Sequence, residues 1–229
     1  MERAEGEVTR VAVLCGGFGT RLGALTRDVP KPMIEVGGRP YLEHVLDSFA
    51  RRSLKEFVLL TGYKAEVIEE HFGDGSRFGW RVAYSRETEP LGTGGAIREA
   101  RALLGPCFIL TFGDVLRRFD YDRFVYQHAG NCLAVYPRQT IGNAAVEAGL
   151  VTRFDKRAPE LPYLDAGFSV MHTSTIDLLP QSGACSFEEI VYAELARRGE
   201  LEGEIVDLDF CDIGTPEELA KTRAILEKP

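Results

Sequence analysis

Gly16, Gly17 and Gly19, with Thr20, Arg21, Arg27 and Lys31 close behind, have the types and spacing to hold a phosphate. Glycines let the backbone turn sharply and present successive N–H groups in one direction, which makes an anion-binding concavity. Arg21, Arg27 and Lys31 stand against one negative charge, Asp28, so the stretch is positive within a chain of net charge −8. The order Gly-Gly-x-Gly-Thr-Arg is not the Gly-x-Gly-x-x-Gly of a dinucleotide turn, and no Gly-Lys-Ser/Thr follows it as in a P-loop. A tight turn carrying surface cations is the competing reading.

One carboxylate has the setting to add a metal ion. Asp114 closes Thr111-Phe112-Gly113-Asp114 after an apolar run that reads as a strand. In open α/β sheets, ligands sit outside the carboxyl ends of the strands. Beside a triphosphate, Asp114 would hold Mg²⁺, which favours carboxylate, water and phosphate oxygens; otherwise it starts a turn. Asp212 precedes Gly214-Thr215-Pro216 and by itself reads as a lead into the Thr215 helix cap, where it favours the helix dipole. Leu91-Gly92-Thr93-Gly94-Gly95-Ala96 opens a helix, where glycines admit a flat base against backbone and the N-terminus adds positive potential. Lys156, in Phe154-Asp155-Lys156-Arg157, lies in a charge cluster that by itself reads as a solvated turn. The four histidines are scattered without metal or triad spacing and read as structural.

The elements that must position these residues follow from hydrophobic pattern. Residues 11–14, 57–61, 80–84 and 107–111 read as strands, with helices over 40–53, 65–72 and 96–104 between them. That alternation predicts a single-domain, Rossmann-like α/β fold with a mixed, mostly parallel sheet and helices on both faces. Further on, residues 120–129 read as helix, 133–136 as strand, and 145–154 as two short strands around Glu147-Ala148-Gly149. Residues 168–171 read as strand. Ser186 with Glu189, and Thr215-Pro216 with Glu218, are capping signals that open helices over 186–198 and from 215 onward. One domain is expected over residues 1–229, with residues 8–115 forming its nucleotide-binding half.

Gly16 to Leu22, followed by Pro30-Lys31-Pro32, resembles the signature of the sugar-1-phosphate nucleotidylyltransferases, with Cys15 where Ala is usual. Those enzymes join a sugar 1-phosphate to a nucleoside triphosphate and release pyrophosphate. The Leu91–Ala96 run with Glu89 and Pro90, the Arg153–Arg157 segment and Tyr163-Leu164-Asp165-Ala166-Gly167 are similar to the D-glycero-α-D-manno-heptose-1-phosphate guanylyltransferases. The resemblance implies GTP and a manno-configured heptose 1-phosphate as substrates, in the service of cell-surface polysaccharide biosynthesis. It implies catalytic roles for Arg21 and Lys31, and Mg²⁺ held by Asp114 and Asp212. Leu14, Gly16, Gly17, Gly19, Thr20, Glu89, Gly92, Thr93 and Gly94 would then face the nucleotide. Lys156, Asp165 and Gly167, with Asn143 and Glu147 as weaker candidates, would bind the sugar phosphate within residues 116–229. Residues 73–79 and 89–91 also resemble the N-acetylmuramate-1-phosphate uridylyltransferases. A non-catalytic, nucleotide-sugar-binding regulatory relative is the reading from another class; Arg21, Lys31, Asp114 and Asp212 together argue against it.

Composition sets the outer bounds. A content of 45% hydrophobic and 27% charged residues is that of a globular protein, and no run approaches a membrane span. Five cysteines without a Cys-x-x-Cys pair suit a reducing cytoplasm. The negative charge argues against a nucleic-acid surface. The partners expected are therefore the nucleoside triphosphate and the sugar 1-phosphate, with no nucleic acid or membrane, and a homodimer left open.

Overall fold

Val11, Ala12 and Val13 are wholly buried because the strand they form lies inside a sheet with helices on both sides. The computed structural model describes residues 10–128 and 130–227. Its first half runs β1 (Arg10–Leu14), β2 (Glu35–Val36), β3 (Arg39–Pro40), α1 (Tyr41–Ala50), β4 (Glu56–Thr61), α2 (Ala65–Phe72), β5 (Arg81–Arg86), α3 (Gly92–Glu99), α4 (Arg101–Leu104) and β6 (Cys107–Phe112). Then follow β7 (Val115–Arg118), α5 (Tyr121–Gln127), β8 (Cys132–Pro137), β9 (Ala144–Glu147), β10 (Leu150–Phe154) and β11 (Tyr163–His172). The chain closes with α6 (Ala193–Arg198), β12 (Glu202–Ile205), β13 (Asp209–Asp212) and α7 (Pro216–Leu226).

The main sheet has the order β5-β4-β1-β6-β11-β8-β12-β10-β9. β1 pairs in parallel with β4 and β6, and β4 pairs in parallel with β5. Helical crossovers make those pairings parallel. β11 then enters antiparallel between β6 and β8, and β9 and β10 form a hairpin at the far edge. Parallel pairing is thus concentrated in the first half of this mixed sheet. Side chains alternate across β1: Val11 and Val13 join Leu42, Val45, Ile68 and Leu219 on one face, while Ala12 joins Ile97, Leu104 and Leu195 on the other.

Several local differences from the sequence reading have physical reasons. The helix expected from residue 96 begins at Gly92, since its glycine run is itself helical. Residues 188–192 form a π turn ahead of α6, with Ser186 Oγ accepting the Glu189 N–H at 3.2 Å. Thr215 caps α7 by accepting the Glu218 N–H at 3.2 Å, with Pro216 behind it. The strands β7, β12 and β13 are absent from the sequence reading, because each spans four residues and carries charges that blur its alternation. Ala129, at the end of the expected helix over 120–129, and residues 1–9 and 228–229 of the expected domain lie outside the described residues. No helix among the described residues is long and apolar enough to cross a membrane.

Candidate active site

The glycine turn leaves β1 and is tied back by the Cys15 N–H, which donates to Leu60 O at 2.8 Å. Gly19 adopts φ +63°, and a Cβ there would lie 2.9 Å from Lys31 Cβ. Only glycine gives both the conformation and the clearance. That close approach seats Lys31, whose side chain is 8% exposed. Its ammonium donates to Asp114 Oδ2 at 2.6 Å and lies 3.8 Å from Asp212 Oδ1. One buried cation therefore joins two carboxylates far apart in sequence.

A two-stranded ribbon brings those carboxylates together. β13 pairs antiparallel with β7, setting Asp212 opposite Val115 and so beside Asp114. The Gly214 N–H donates to Asp212 Oδ1 at 2.6 Å, fixing the carboxylate. Arg21 reaches the same corner: a Cβ at Gly214 would lie 3.5 Å from its Nη2. Burial pushes the Asp212 carboxyl above its ordinary range; Lys31 opposes this, and Asp114 and Glu218 add to it. Glu218 also buries its Oε2 without a hydrogen-bond partner. This excess of carboxylate over ammonium is a hard-oxygen donor set that fits Mg²⁺.

Two cavities meet at this corner. The larger, about 440 Å³, is lined by Leu14, Gly16, Gly17, Gly19, Thr20 and Arg21 on one side and by Glu87, Gly92 and Thr93 on the other. The second, about 300 Å³, is lined by Asn143, Asp165, Gly167, Arg117, Tyr136 and Asp212 among others. Arg21, Lys31, Phe112 and Asp114 line both. A group passing between ligands in the two cavities would pass Lys31.

Five residues singled out from the sequence do not line either cavity: Arg27, Glu89, Gly94, Glu147 and Lys156. Glu89 is exposed on the bend before Pro90, whereas Glu87, at the end of β5, faces the larger cavity. Glu87 Oε2 accepts the Leu91 N–H at 3.2 Å, and burial pushes its carboxyl up. Gly94 is buried, its N–H donating to Cys185 O at 2.9 Å, so it ties α3 to the chain ahead of α6. Glu147 is exposed at the β9–β10 hairpin, on the far edge of the sheet. Lys156 points to Glu188, 3.3 Å away. Burial works against the Glu188 carboxylate, yet Thr93 Oγ1 at 2.6 Å, Lys156 and Ser186 Oγ outweigh it and hold its carboxyl below the ordinary range.

Sequence reasoning missed Glu87, Glu188 and Arg117. The rule that ligands collect at carboxyl ends of strands would have found Glu87 once β5 was carried to Arg86. Glu188 and Arg117 carry no local signal, since charged residues are mostly exposed and these two are buried.

Asp165 offers a test of this electrostatic arrangement. Burial pushes its carboxyl up to about 6, against the Gly167 N–H bonded to Oδ1 at 2.6 Å. Between about pH 4 and 6 the folded state therefore binds this proton more readily than the unfolded chain, so stability falls as pH rises through that window. Asp165→Asn, which keeps the acceptor without the charge, is expected to be more stable than the parent at pH 7.5 by about 1–3 kcal/mol. The difference should shrink at pH 5. Thermal unfolding of both proteins at the two pH values checks it; a difference independent of pH contradicts the desolvated carboxylate.

A parallel half-sheet with a glycine turn after its first strand and cavities at its carboxyl ends defines a nucleotide-binding α/β protein. Residues 10–145 match the nucleotidyl transferase family, and the chain belongs to that family. It is 32% identical over 212 residues to a D-glycero-alpha-D-manno-heptose 1-phosphate guanylyltransferase of Campylobacter jejuni, covering 90% of this chain and 95% of that one. A mannose-1-phosphate guanylyltransferase of Mycobacterium tuberculosis is 34% identical over 93% of this chain and 63% of its own length. A glucose-1-phosphate cytidylyltransferase of Salmonella typhi is 28% identical over 84% of this chain and 86% of its own. Among solved structures, HddC from Yersinia pseudotuberculosis complexed with GMP-PN matches with a TM-score of 0.79 at 25% identity, covering 95% of this chain and 99% of that one.

Proposed function

We propose that this protein transfers the guanylyl group of GTP to a manno-configured heptose 1-phosphate, releasing pyrophosphate. The observation that carries the reading is the corner where the two cavities share Arg21, Lys31 and Asp114. GTP occupies the larger cavity and the sugar phosphate the smaller. An ionised phosphate oxygen of the sugar attacks the α-phosphorus of GTP in line. The new P–O bond forms as the bond to the β-phosphate oxygen breaks, and pyrophosphate leaves with that electron pair. The nucleophile is already an anion, so no general base is required.

The chain's part is to position substrates and stabilise charge. The N–H groups at Gly16, Gly17 and Gly19, with Arg21, hold the departing phosphates. Lys31, pinned between Asp114 and Asp212, faces the charge that develops at the α-phosphate. Asp165 and Asn143 offer acceptors to sugar hydroxyls. Mg²⁺, held by Asp114 and Asp212, would neutralise charge on the phosphates when bound. The reaction belongs where nucleoside triphosphates are held, in the cytoplasm, and its product is an activated sugar for surface polysaccharides.

The guanine preference rests on Glu87. Guanine presents an N1–H and an exocyclic amine, two donors that a carboxylate accepts, whereas uracil and cytosine lack that pair. An acceptor left unpaired on burial costs about 1–3 kcal/mol, a preference of roughly five- to 150-fold. The names of the C. jejuni and M. tuberculosis relatives agree with GTP, and that of the S. typhi relative with CTP. Competition decides between them: equal GTP, UTP and CTP are offered with D-glycero-α-D-manno-heptose 1-phosphate, and the products are separated. GDP-heptose is expected to predominate; a UDP or CDP product in excess overturns the base assignment. Glu87→Gln is expected to lower the GTP-to-UTP ratio about tenfold in the same assay, or about 1.4 kcal/mol. An unchanged ratio removes Glu87 from base recognition.

A further inference from the structure

Arg117 is 6% exposed, yet no carboxylate among the described residues lies within ion-pair distance of it. Its guanidinium is held entirely by neutral acceptors. Nε donates to Ala166 O, and Nη1 donates to Thr111 Oγ1 and to Val115 O, each at 3.1 Å. Nη2 lies against Gly167, at φ +63°, where any Cβ would collide with it. The missing Cβ at Gly167 is what lets the guanidinium sit there, and Arg117 and Gly167 both line the second cavity, beside Asn143 and Asp165. The Asp165 carboxylate, whose Oδ1 accepts the Gly167 N–H at 2.6 Å, acts on it through space without a contact ion pair.

A buried guanidinium with no carboxylate in contact is costly to fold around; Asp165 and Asp114 offset that cost only from a distance, and an anion that joins it relieves more. Three fixed hydrogen bonds orient the fork before any ligand arrives, and the planar fork matches an oxyanion. The other cation assigned to this end of the site, Lys156, is 41% exposed and engaged by Glu188. We infer that Arg117 is the residue that grips an oxyanion of the sugar substrate in the second cavity. This rests on the reading that the second cavity receives the sugar phosphate. The oxyanion is either the anomeric phosphate or a further acidic group on the sugar, and the two sources separate by experiment.

The test compares wild type with Arg117→Gln and Arg117→Lys. The acceptors are D-glycero-α-D-manno-heptose 1-phosphate, mannose 1-phosphate and N-acetylmuramate 1-phosphate, which carries an additional carboxylate. Titration calorimetry gives the sugar phosphate Kd, and steady-state assays give both KM values and kcat. Charge-assisted hydrogen bonds contribute enough that Arg117→Gln should weaken sugar phosphate binding on the order of 10- to 100-fold. The KM for the nucleotide should change less than about twofold. Arg117→Lys, which keeps the charge but not the fork, should fall between the two, and it carries the test if Arg117→Gln melts early. Equal weakening for all three acceptors assigns the anomeric phosphate; weakening for the muramate sugar alone assigns the extra carboxylate. Unchanged sugar phosphate binding in both variants, or equal loss for nucleotide and sugar, overturns the proposal. Wild-type protein that binds sugar phosphates but transfers no nucleotide to them contradicts the transfer reaction and leaves the role of Arg117 standing.

Discussion

Asp114→Asn is expected to lower kcat/KM by about a thousandfold with the fold intact, and Asp212→Asn by a similar factor. Both carboxylates answer to one cationic position: Lys31 bonds Asp114 at 2.6 Å and lies 3.8 Å from Asp212. A divalent ion held there would stabilise transferred charge by several kcal/mol, and about 4 kcal/mol corresponds to three powers of ten. Because the pair acts as a unit, the double variant should lose little more than either single one. Steady-state rates at saturating Mg²⁺, with unfolding curves as the control for folding, measure this. Multiplicative losses would mean that the two aspartates act separately. A folded single variant at parental rate would remove its residue from the site.

Lys31→Ala should fail in a different way. Loss of one positioned donor to transition-state charge lowers kcat by about 10²- to 10³-fold, with the KM values for both substrates moving little. Lys31 also offsets repulsion between Asp114 and Asp212, so its removal should destabilise the metal-free protein. Breaking a buried pair can cost about 3–5 kcal/mol; with Asp114 29% exposed, about 1–3 kcal/mol is expected. Mg²⁺ should then restore more stability to Lys31→Ala than to the parent, because no ammonium competes for the carboxylates. Melting temperatures with and without Mg²⁺ check this. Equal Mg²⁺ effects on the two proteins would show that Lys31 and the metal do not share the position.

The glycine turn and Lys31 were legible in the sequence because the geometry they need is local. Gly19 must approach Lys31, and both lie in one short stretch. The parallel half of the sheet was legible for a related reason, since apolar runs alternate there with amphipathic helices. The meeting of Asp114 with Asp212 was not, because it depends on β7 pairing with β13, two four-residue strands distant in the chain. Nothing local announces such a ribbon. Glu89 was chosen where Glu87 faces the cavity, a two-residue displacement at the end of a strand where the chain bends toward Pro90. Arg117 has no local signal, since arginines are mostly exposed, whereas its bond to the β11 backbone at Ala166 holds it inside.

The central claim is that a nucleotidyl group moves from a triphosphate to a sugar phosphate at the corner shared by the two cavities. Isotopic labelling tests it most directly: GTP labelled at the α- or the γ-phosphorus is incubated with D-glycero-α-D-manno-heptose 1-phosphate, Mg²⁺ and the purified protein. The α-label is expected in GDP-heptose and the γ-label in pyrophosphate, in equal amounts. Appearance of the γ-label on the sugar, or of the α-label in free GMP without a nucleotide sugar, would contradict it.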